Sequence, residues 1–478
     1  MHIPVIAFCL LAITLTANAN PGQAASADEQ SRINIVFILA DDLGYGDLGC
    51  YGQRHFKTPN LDRLAEGGMM FTDHYAGSTV CAPSRACLLT GQHTGHVFQR
   101  FNGPVQFRPD PQDTTVARVL SDAGYHTGMI GKSGLSCNSP DGTLPNRKGF
   151  DFFYGYTSHE EAHRYYPKFL WKNGRRVEFP GNSGQQGDVY SGDVFRDAAM
   201  AYLEENANRP FFLHLALQQP HADLAVTERW KTPFLGHFEE IPFEGDHYRA
   251  EPNPKATFAG MVTYLDHTVG LVIEKLEELG IADNTLVIFS SDNGAMSEGG
   301  WSSEYFNSSG PLRGGKRDMY EGGIRVPTIA YWPGTIAPSS KTSHVSAFWD
   351  FAPTAFELAG IEASYELDGI SYAPTLLGRD AEQAKHDHLY WEFYEKGGKQ
   401  AVRWGKWKGV RLDVSLDRDG PIELYDLSTD LGEANDIASQ HPQVVAHIEQ
   451  LMRSAHVESE IVSFNPRESK QRQIKPVN

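Results

Sequence analysis

Short runs of Val, Ile, Leu and Phe recur at residues 33–40, 210–217, 285–290 and 326–332, with a weaker one at 127–130. None alternates with polar residues, so each reads as a strand buried on both faces, the pattern of a parallel sheet covered by helices. Between them lie stretches with apolar residues near the 3.6-residue period, notably residues 257–279, closed by Gly280. The predicted fold class is α/β: a large, mostly parallel mixed sheet with helices on both faces. From about Asp387 the texture changes to shorter segments at 389–394, 401–412 and 422–427, turned by Gly397-Gly398 and followed by a helical pattern at 442–455. These predict a smaller antiparallel sheet with one helix, docked on the main domain. The expected division is a main domain at 32–385, a C-terminal subdomain at 386–464 and a polar tail at 465–478.

The chain's 478 residues are 40% hydrophobic and 21% charged, as in a soluble globular protein large enough for a sizeable core. Its net charge of -18 repels polyphosphates, which excludes general binding to nucleic acid or an anionic membrane. Residues 1–27 read as an export signal: an apolar run from Ile3 to Leu15, then small-residue cleavage sites after Ala19 or Ala27. The run is too short to span a bilayer, and no later segment is expected to be long and apolar enough to do so. The expected location is therefore secreted or periplasmic. Export removes Cys9 and leaves Cys50, Cys81, Cys87 and Cys137, too few for a disulfide scaffold.

In open α/β sheets the ligand site lies beyond the carboxyl ends of the strands. Here Asp41-Asp42 follows the first run, Lys132 the weak one, His221 the third in chain order and Asp292-Asn293 the fourth. Carboxylates and an amide without a Cys or His pair select a hard cation, Ca²⁺ or Mg²⁺, over zinc.

The stretch Cys81-Ala82-Pro83-Ser84-Arg85-Ala86-Cys87-Leu88-Leu89-Thr90-Gly91 resembles the maturation and active-site motif of the formylglycine-dependent sulfatases, members of the alkaline-phosphatase-like superfamily. The resemblance recurs in order along the chain. Asp41-Asp42-Leu43-Gly44-Tyr45-Gly46-Asp47 is similar to the family's first metal motif, and Ala123-Gly124-Tyr125 through Gly131-Lys132 to its second signature. Gln219-Pro220-His221 resembles its leaving-group histidine, Ser291-Asp292-Asn293-Gly294 its second metal motif, and Gly310 through Lys316 the segment carrying a sulfate-binding lysine.

The resemblance implies a sulfuric ester hydrolase in which Cys81 is oxidised by a maturation enzyme to formylglycine. Its hydrated aldehyde attacks sulfur, and the second hydroxyl expels sulfate. The implied metal ligands are Asp41, Asp42, modified Cys81, Asp292 and Asn293, holding Ca²⁺ in preference to Mg²⁺. Arg85 orients the diol, Lys132 and Lys316 neutralise sulfuryl oxygens, and His221 protonates the leaving alcohol. One position departs: Gly134 stands where the family usually has a histidine that helps release sulfate. His93, His96, His159 and His163 are the imidazoles available to replace it.

His159, His163 and Arg164, in a segment of aromatic, imidazole and basic residues, and Arg403, in a segment similar to secreted bacterial carbohydrate sulfatases, are the expected contacts to a sulfated carbohydrate. Two other functions remain open at this level: phosphate or phosphonate ester hydrolysis with the same nucleophile, and binding of sulfated glycan without turnover because of Gly134.

Overall fold

In the computed structural model, which describes residues 32–103, 105–135 and 141–468, the Asn34–Ala40 strand is buried along its whole length. Side chains alternate across a strand, so Ile35, Phe37 and Leu39 enter one core and Val36, Ile38 and Ala40 another. An unbroken apolar run is what a strand with two buried faces requires. The first core is closed by residues of the Cys81–Thr90, Val116–Asp122 and Phe351–Ala359 helices, the second by Pro59–Gly67, Ser191–Asn206 and Pro254–Glu278. The export signal, Cys137 and residues 469–478 of the tail lie outside the described residues.

The main sheet has 10 strands, ordered Ser340–Thr342, Met69–Phe71, Thr328–Tyr331, Thr285–Ser291, Asn34–Ala40, Phe211–Ala216, His126–Lys132, Phe152–Tyr156, Phe169–Lys172 and Arg175–Glu178. Its centre, from Thr285–Ser291 to Phe152–Tyr156, is parallel throughout. The run read at 326–332 forms Thr328–Tyr331, but antiparallel to both neighbours. Burial on both faces looks the same in sequence whichever way a strand points.

The Pro254–Glu278 helix corrects another expectation. It is long and apolar enough to cross a membrane, yet 78% of its most apolar window is buried inside the protein. It is a core helix. Its Asp266 carboxylate accepts the backbone N–H groups of Asn60 and Leu61, at 3.0 and 2.8 Å, and so caps the Pro59–Gly67 helix from a distance.

The smaller sheet has 4 antiparallel strands: Leu389–Phe393, Lys399–Trp404, Trp407–Arg411 and Ile422–Asp426. The segment read as one unit at 401–412 is thus a hairpin, with Trp404 opposite Trp407 and Gly405 at positive φ in the turn. One face, with Tyr390, Val402 and Leu424, packs on the Pro442–Ala455 helix; the other, with Trp391, Ala401 and Val410, joins the main core. Trp391 Nε1 donates to Ala76 O at 3.0 Å, just ahead of the Cys81 helix.

Candidate active site

Four adjacent parallel strands deliver the chemistry to one rim. Thr285–Ser291 ends at Asp292-Asn293, Asn34–Ala40 at Asp41-Asp42, Phe211–Ala216 leads to His221, and Lys132 is the last residue of His126–Lys132. Backbone bonds from Asp41 N to Gln219 O and from Asp292 N to Ala40 O, both 3.1 Å, tie the three loops together. Asp42 sits at φ 63, a left-handed conformation that Asp tolerates better than most residues, and its N–H donates to Asp292 Oδ1 at 3.1 Å. Gly294 passes so close to the following segment that a Cβ there would lie 1.8 Å from Gly322 O. The next residue ties the loop to Lys316, whose N–H donates to Ala295 O at 2.9 Å.

Cys81 opens the Cys81–Thr90 helix and is fully buried. Arg85 stands one turn further on the same face. Its buried guanidinium donates from Nε to Asp292 Oδ2 at 2.9 Å and to the Lys132 carbonyl at 2.9 Å, and lies 3.6 Å from Asp41 Oδ1. Lys132 Nζ donates to Asp41 Oδ2 and Lys316 Nζ to Asp42 Oδ2, each at 2.7 Å. Ligand atoms of Asp41, Asp42, Cys81 and His221 all lie within 4.8 Å of one another. Burial pushes the Cys81 thiol up to about 12, against the pull of Lys132 and Lys316, so at neutral pH it is a protonated thiol and a poor nucleophile.

The donor set fits a hard divalent cation. Asp41 Oδ1 and Asn293 Oδ1 are buried without hydrogen-bond partners. Burial, then the Asp41 charge, pushes Asp292 up to about 7 against the pull of Arg85 and Lys132. Burial opposes the Asp41 charge, but the Lys132 and Arg85 charges hold its carboxyl well below the usual carboxylate range. Asn293 reaches the cluster through Asp42, donating from Nδ2 to Oδ1 at 2.7 Å.

His221 Nδ1 bonds to Ala222 O, and its Nε2 lies 3.3 Å from Lys316 Nζ and 3.4 Å from Asp42 Oδ2. Burial lowers its pKa, with Asp42 opposing. The imidazole is therefore neutral, and the proton nearest its Nε2 is carried by Lys316.

At Gly134, φ is 69 and a Cβ would lie 2.6 Å from Arg85 Cδ. Any side chain there would displace the guanidinium from Asp292. Of the four alternative imidazoles, His93 and His96 are drawn away. Their rings stack, 4.2 Å apart, and Asp368 accepts from His96 Nδ1 at 2.8 Å. His163 stacks on His221 with ring centres 4.2 Å apart, and its ring nitrogens are buried without partners. His159 lies 5.2 Å from His163, and burial followed by the Lys132 charge keeps it neutral. Arg164 is held by Asp223 at 2.9 Å beside this group.

Arg403 is not brought to the rim cluster. Its guanidinium is paired with Asp73 at 2.8 Å and bonded to Tyr75, at the junction with the smaller sheet. Tyr248 was missed: its ring lies 6.2 Å from that of His221, and its hydroxyl donates to Glu298 at 2.7 Å. It comes from an irregular loop with no periodic signal in the sequence.

Residues 33–361 match the family described as Sulfatase, and residues 314–458 that described as N-sulphoglucosamine sulphohydrolase, C-terminal. Arylsulfatase A of Homo sapiens is 34% identical, covering 91% of this chain and 89% of its own length. The N-acetylgalactosamine-6-O-sulfatase of Bacteroides thetaiotaomicron is 30% identical over 90% of this chain and 94% of its own. Among solved structures, Ps i-CgsB superposes with a TM-score of 0.78 at 26% identity, covering 93% of this chain and 98% of that one. The ordered rim and these matches agree: the chain belongs to the sulfatase family and is a sulfuric ester hydrolase.

Proposed function

We propose that the protein cleaves sulfate esters on a sulfated carbohydrate, using formylglycine made from Cys81 and a bound calcium ion, outside the cytoplasm. The observation that carries this reading is the convergence of two ammonium groups and a neutral imidazole on buried Cys81. Formylglycine supplies a hydrated aldehyde whose hydroxyl is the nucleophile. Asp41, Asp42, Asp292 and Asn293 would hold the calcium ion, which would supply positive charge to the sulfuryl group.

The chain's own residues do the rest. Lys132 and Lys316 face the sulfuryl oxygens from two sides. Arg85, locked onto Asp292 and the Lys132 carbonyl, fixes the helix turn that carries residue 81. His221, whose Nε2 lies 3.4 Å from Asp42 Oδ2 and 3.3 Å from Lys316 Nζ, takes up a proton from water at Nε2 and passes it to the departing alkoxide. His159 and His163 offer unpaired or neutral imidazoles to sugar hydroxyls, and Arg164 borders them. They are also the groups near enough to act in place of the histidine absent at Gly134. A carbohydrate is favoured by this imidazole and tyrosine wall and by two relatives: one named for N-acetylgalactosamine 6-O-sulfate, and Ps i-CgsB, 27% identical in its complex with k-i-k-neocarrahexaose. Export rests on residues 1–27.

The test is direct. After co-expression with a formylglycine-generating enzyme, mass spectrometry of the peptide containing Cys81 should show the aldehyde, and the purified protein should release sulfate from defined sulfated oligosaccharides. A persistent thiol at Cys81 in an active preparation would rule out the proposed nucleophile.

A further inference from the structure

The rim that carries Asp41 extends across the sheet to the outer strand Ser340–Thr342. That strand is parallel to Met69–Phe71, which is antiparallel to Thr328–Tyr331, itself antiparallel to Thr285–Ser291. The two reversals cancel, so Ser340–Thr342 points the same way as Asn34–Ala40. The register can be followed across: Thr342 pairs with Phe71, Phe71 with Thr328, Thr328 lies level with Ser290, and Ser290 pairs with Leu39. His344, two residues beyond Thr342, is therefore level with Asp41, two residues beyond Leu39. With four interstrand steps of about 4.8 Å, the two points are roughly 19 Å apart.

At that outer position lies a cavity of about 460 Å³ whose lining includes Lys341, His344, Lys385, His386 and Arg403, with Asp380 as its acidic member. Lys341 and Lys385 are exposed and make no salt bridge among the described residues. His344 Nε2 is buried without a hydrogen-bond partner. His386 Nε2 is bonded to the buried Asp350 carboxylate at 2.7 Å, and Arg403, pinned by Asp73, closes the inner wall. In a chain of net charge -18, a cavity bordered by two exposed lysines that make no salt bridge among the described residues offers a local positive field suited to an anion.

We propose that this cavity is a distal subsite for a second anionic group, a sulfate or carboxylate carried several sugar units away from the ester held at Cys81. The proposal rests on the sulfated-carbohydrate reading and deepens it: the substrate is a polyanionic chain laid along the rim, anchored at both ends.

The test compares the matured wild type with a Lys341→Ala/Lys385→Ala double variant on a small aryl sulfate, a sulfated disaccharide and a sulfated hexasaccharide. Both lysines are exposed, so folding should be unaffected, and Lys→Arg replacements serve as the charge-conserving control. Aryl sulfate and disaccharide should be cleaved within about twofold of wild type, while KM for the hexasaccharide rises about tenfold, the loss of two charged contacts. The Arg pair should restore it. An unchanged hexasaccharide KM overturns the distal subsite and leaves the sulfatase reading intact. Cleavage of aryl sulfate with no turnover of either saccharide removes the carbohydrate reading itself, and the subsite with it. Calorimetric titration with inorganic sulfate separates the remaining case: a binding heat lost in the variant, with hexasaccharide KM unchanged, assigns the cavity to free sulfate and overturns its role toward substrate.

Discussion

At the scale of single residues, the site turns on where protons and charges are held. His221 is buried, its pKa lowered by burial, and its Nε2 lies 3.3 Å from Lys316 Nζ. Changing His221 to Ala should lower kcat/KM for esters of sugar alcohols by about 10²–10⁴-fold, and far less for esters of acidic phenols, whose oxygens leave without a proton. Equal losses across a series of leaving groups would remove it from the acid role. Gly134 yields a second expectation. Because a Cβ there meets Arg85 at 2.6 Å and φ is 69, Gly134→His should cost about 1–3 kcal/mol of stability, read as a lowered Tm, and should reduce turnover rather than raise it. Asp41, Asp42, Lys132, Asp292 and Asn293 could be singled out in the sequence because each stands at the end of a buried run, whereas Lys316 rested on the resemblance of residues 310–316 alone. The fate of Gly134 was not legible, since its constraint is Arg85, 49 residues earlier in the chain.

At the scale of elements, the smaller sheet docks through buried charge as well as apolar surface. Lys408, in Trp407–Arg411, is buried and bonded to Glu321 at 2.7 Å, with Glu433 at 3.6 Å; Arg325 also reaches Glu321, at 3.2 Å. Replacing Lys408 with Met should cost about 3–5 kcal/mol in denaturant unfolding, because it leaves Glu321 and Glu433 facing each other without their shared cation. Burial disfavours the Glu321 carboxylate, but Lys408, Arg325 and Arg403 hold its pKa down to about 2, below the ordinary 4.5. Its stabilising contribution is therefore present above pH 4.5 and disappears as pH falls from 4.5 towards 2; in Glu321→Gln this acid limb of the Tm profile should flatten. Element types were readable from hydrophobic period, and the helix read at 442–455 has those bounds in the structure. Strand direction at Thr328–Tyr331 and the hairpin turn at Gly405 were not, because burial leaves one mark for either direction and an apolar tryptophan pair masks the turn. Arg403 could not be placed from the sequence for a related reason: a strand residue singled out for its charge pairs with Asp73 at the junction, away from the rim cluster.

For the whole molecule, the sheet brings Asp41, Asp42 and Asp292 to one buried rim, where the proposed calcium ion would bind. With Asp292 pushed up to about 7 by burial and Asp41, adding calcium should raise Tm and chelation should lower it, by about 2.7 kcal/mol of stability at a hundredfold excess over Kd. Calcium-independent melting would contradict the metal assignment whatever the activity of the preparation. The overall plan, two cores around one sheet with a smaller sheet attached, followed from runs too apolar to have an exposed face. Lateral order in the sheet did not, because it depends on contacts between segments hundreds of residues apart. The Pro254–Glu278 helix has a consequence beyond the folded state. For an exported chain, this segment is threaded unfolded past the membrane before the sheet exists to cover it, and by apolarity and length it qualifies to stop there. Asp266, near its middle, then has a second use: a carboxylate at that depth costs about 2.5–3.5 kcal/mol to leave in lipid. If the chain is exported as proposed, the side chain that caps a neighbouring helix in the finished protein would also bias the nascent segment toward passage.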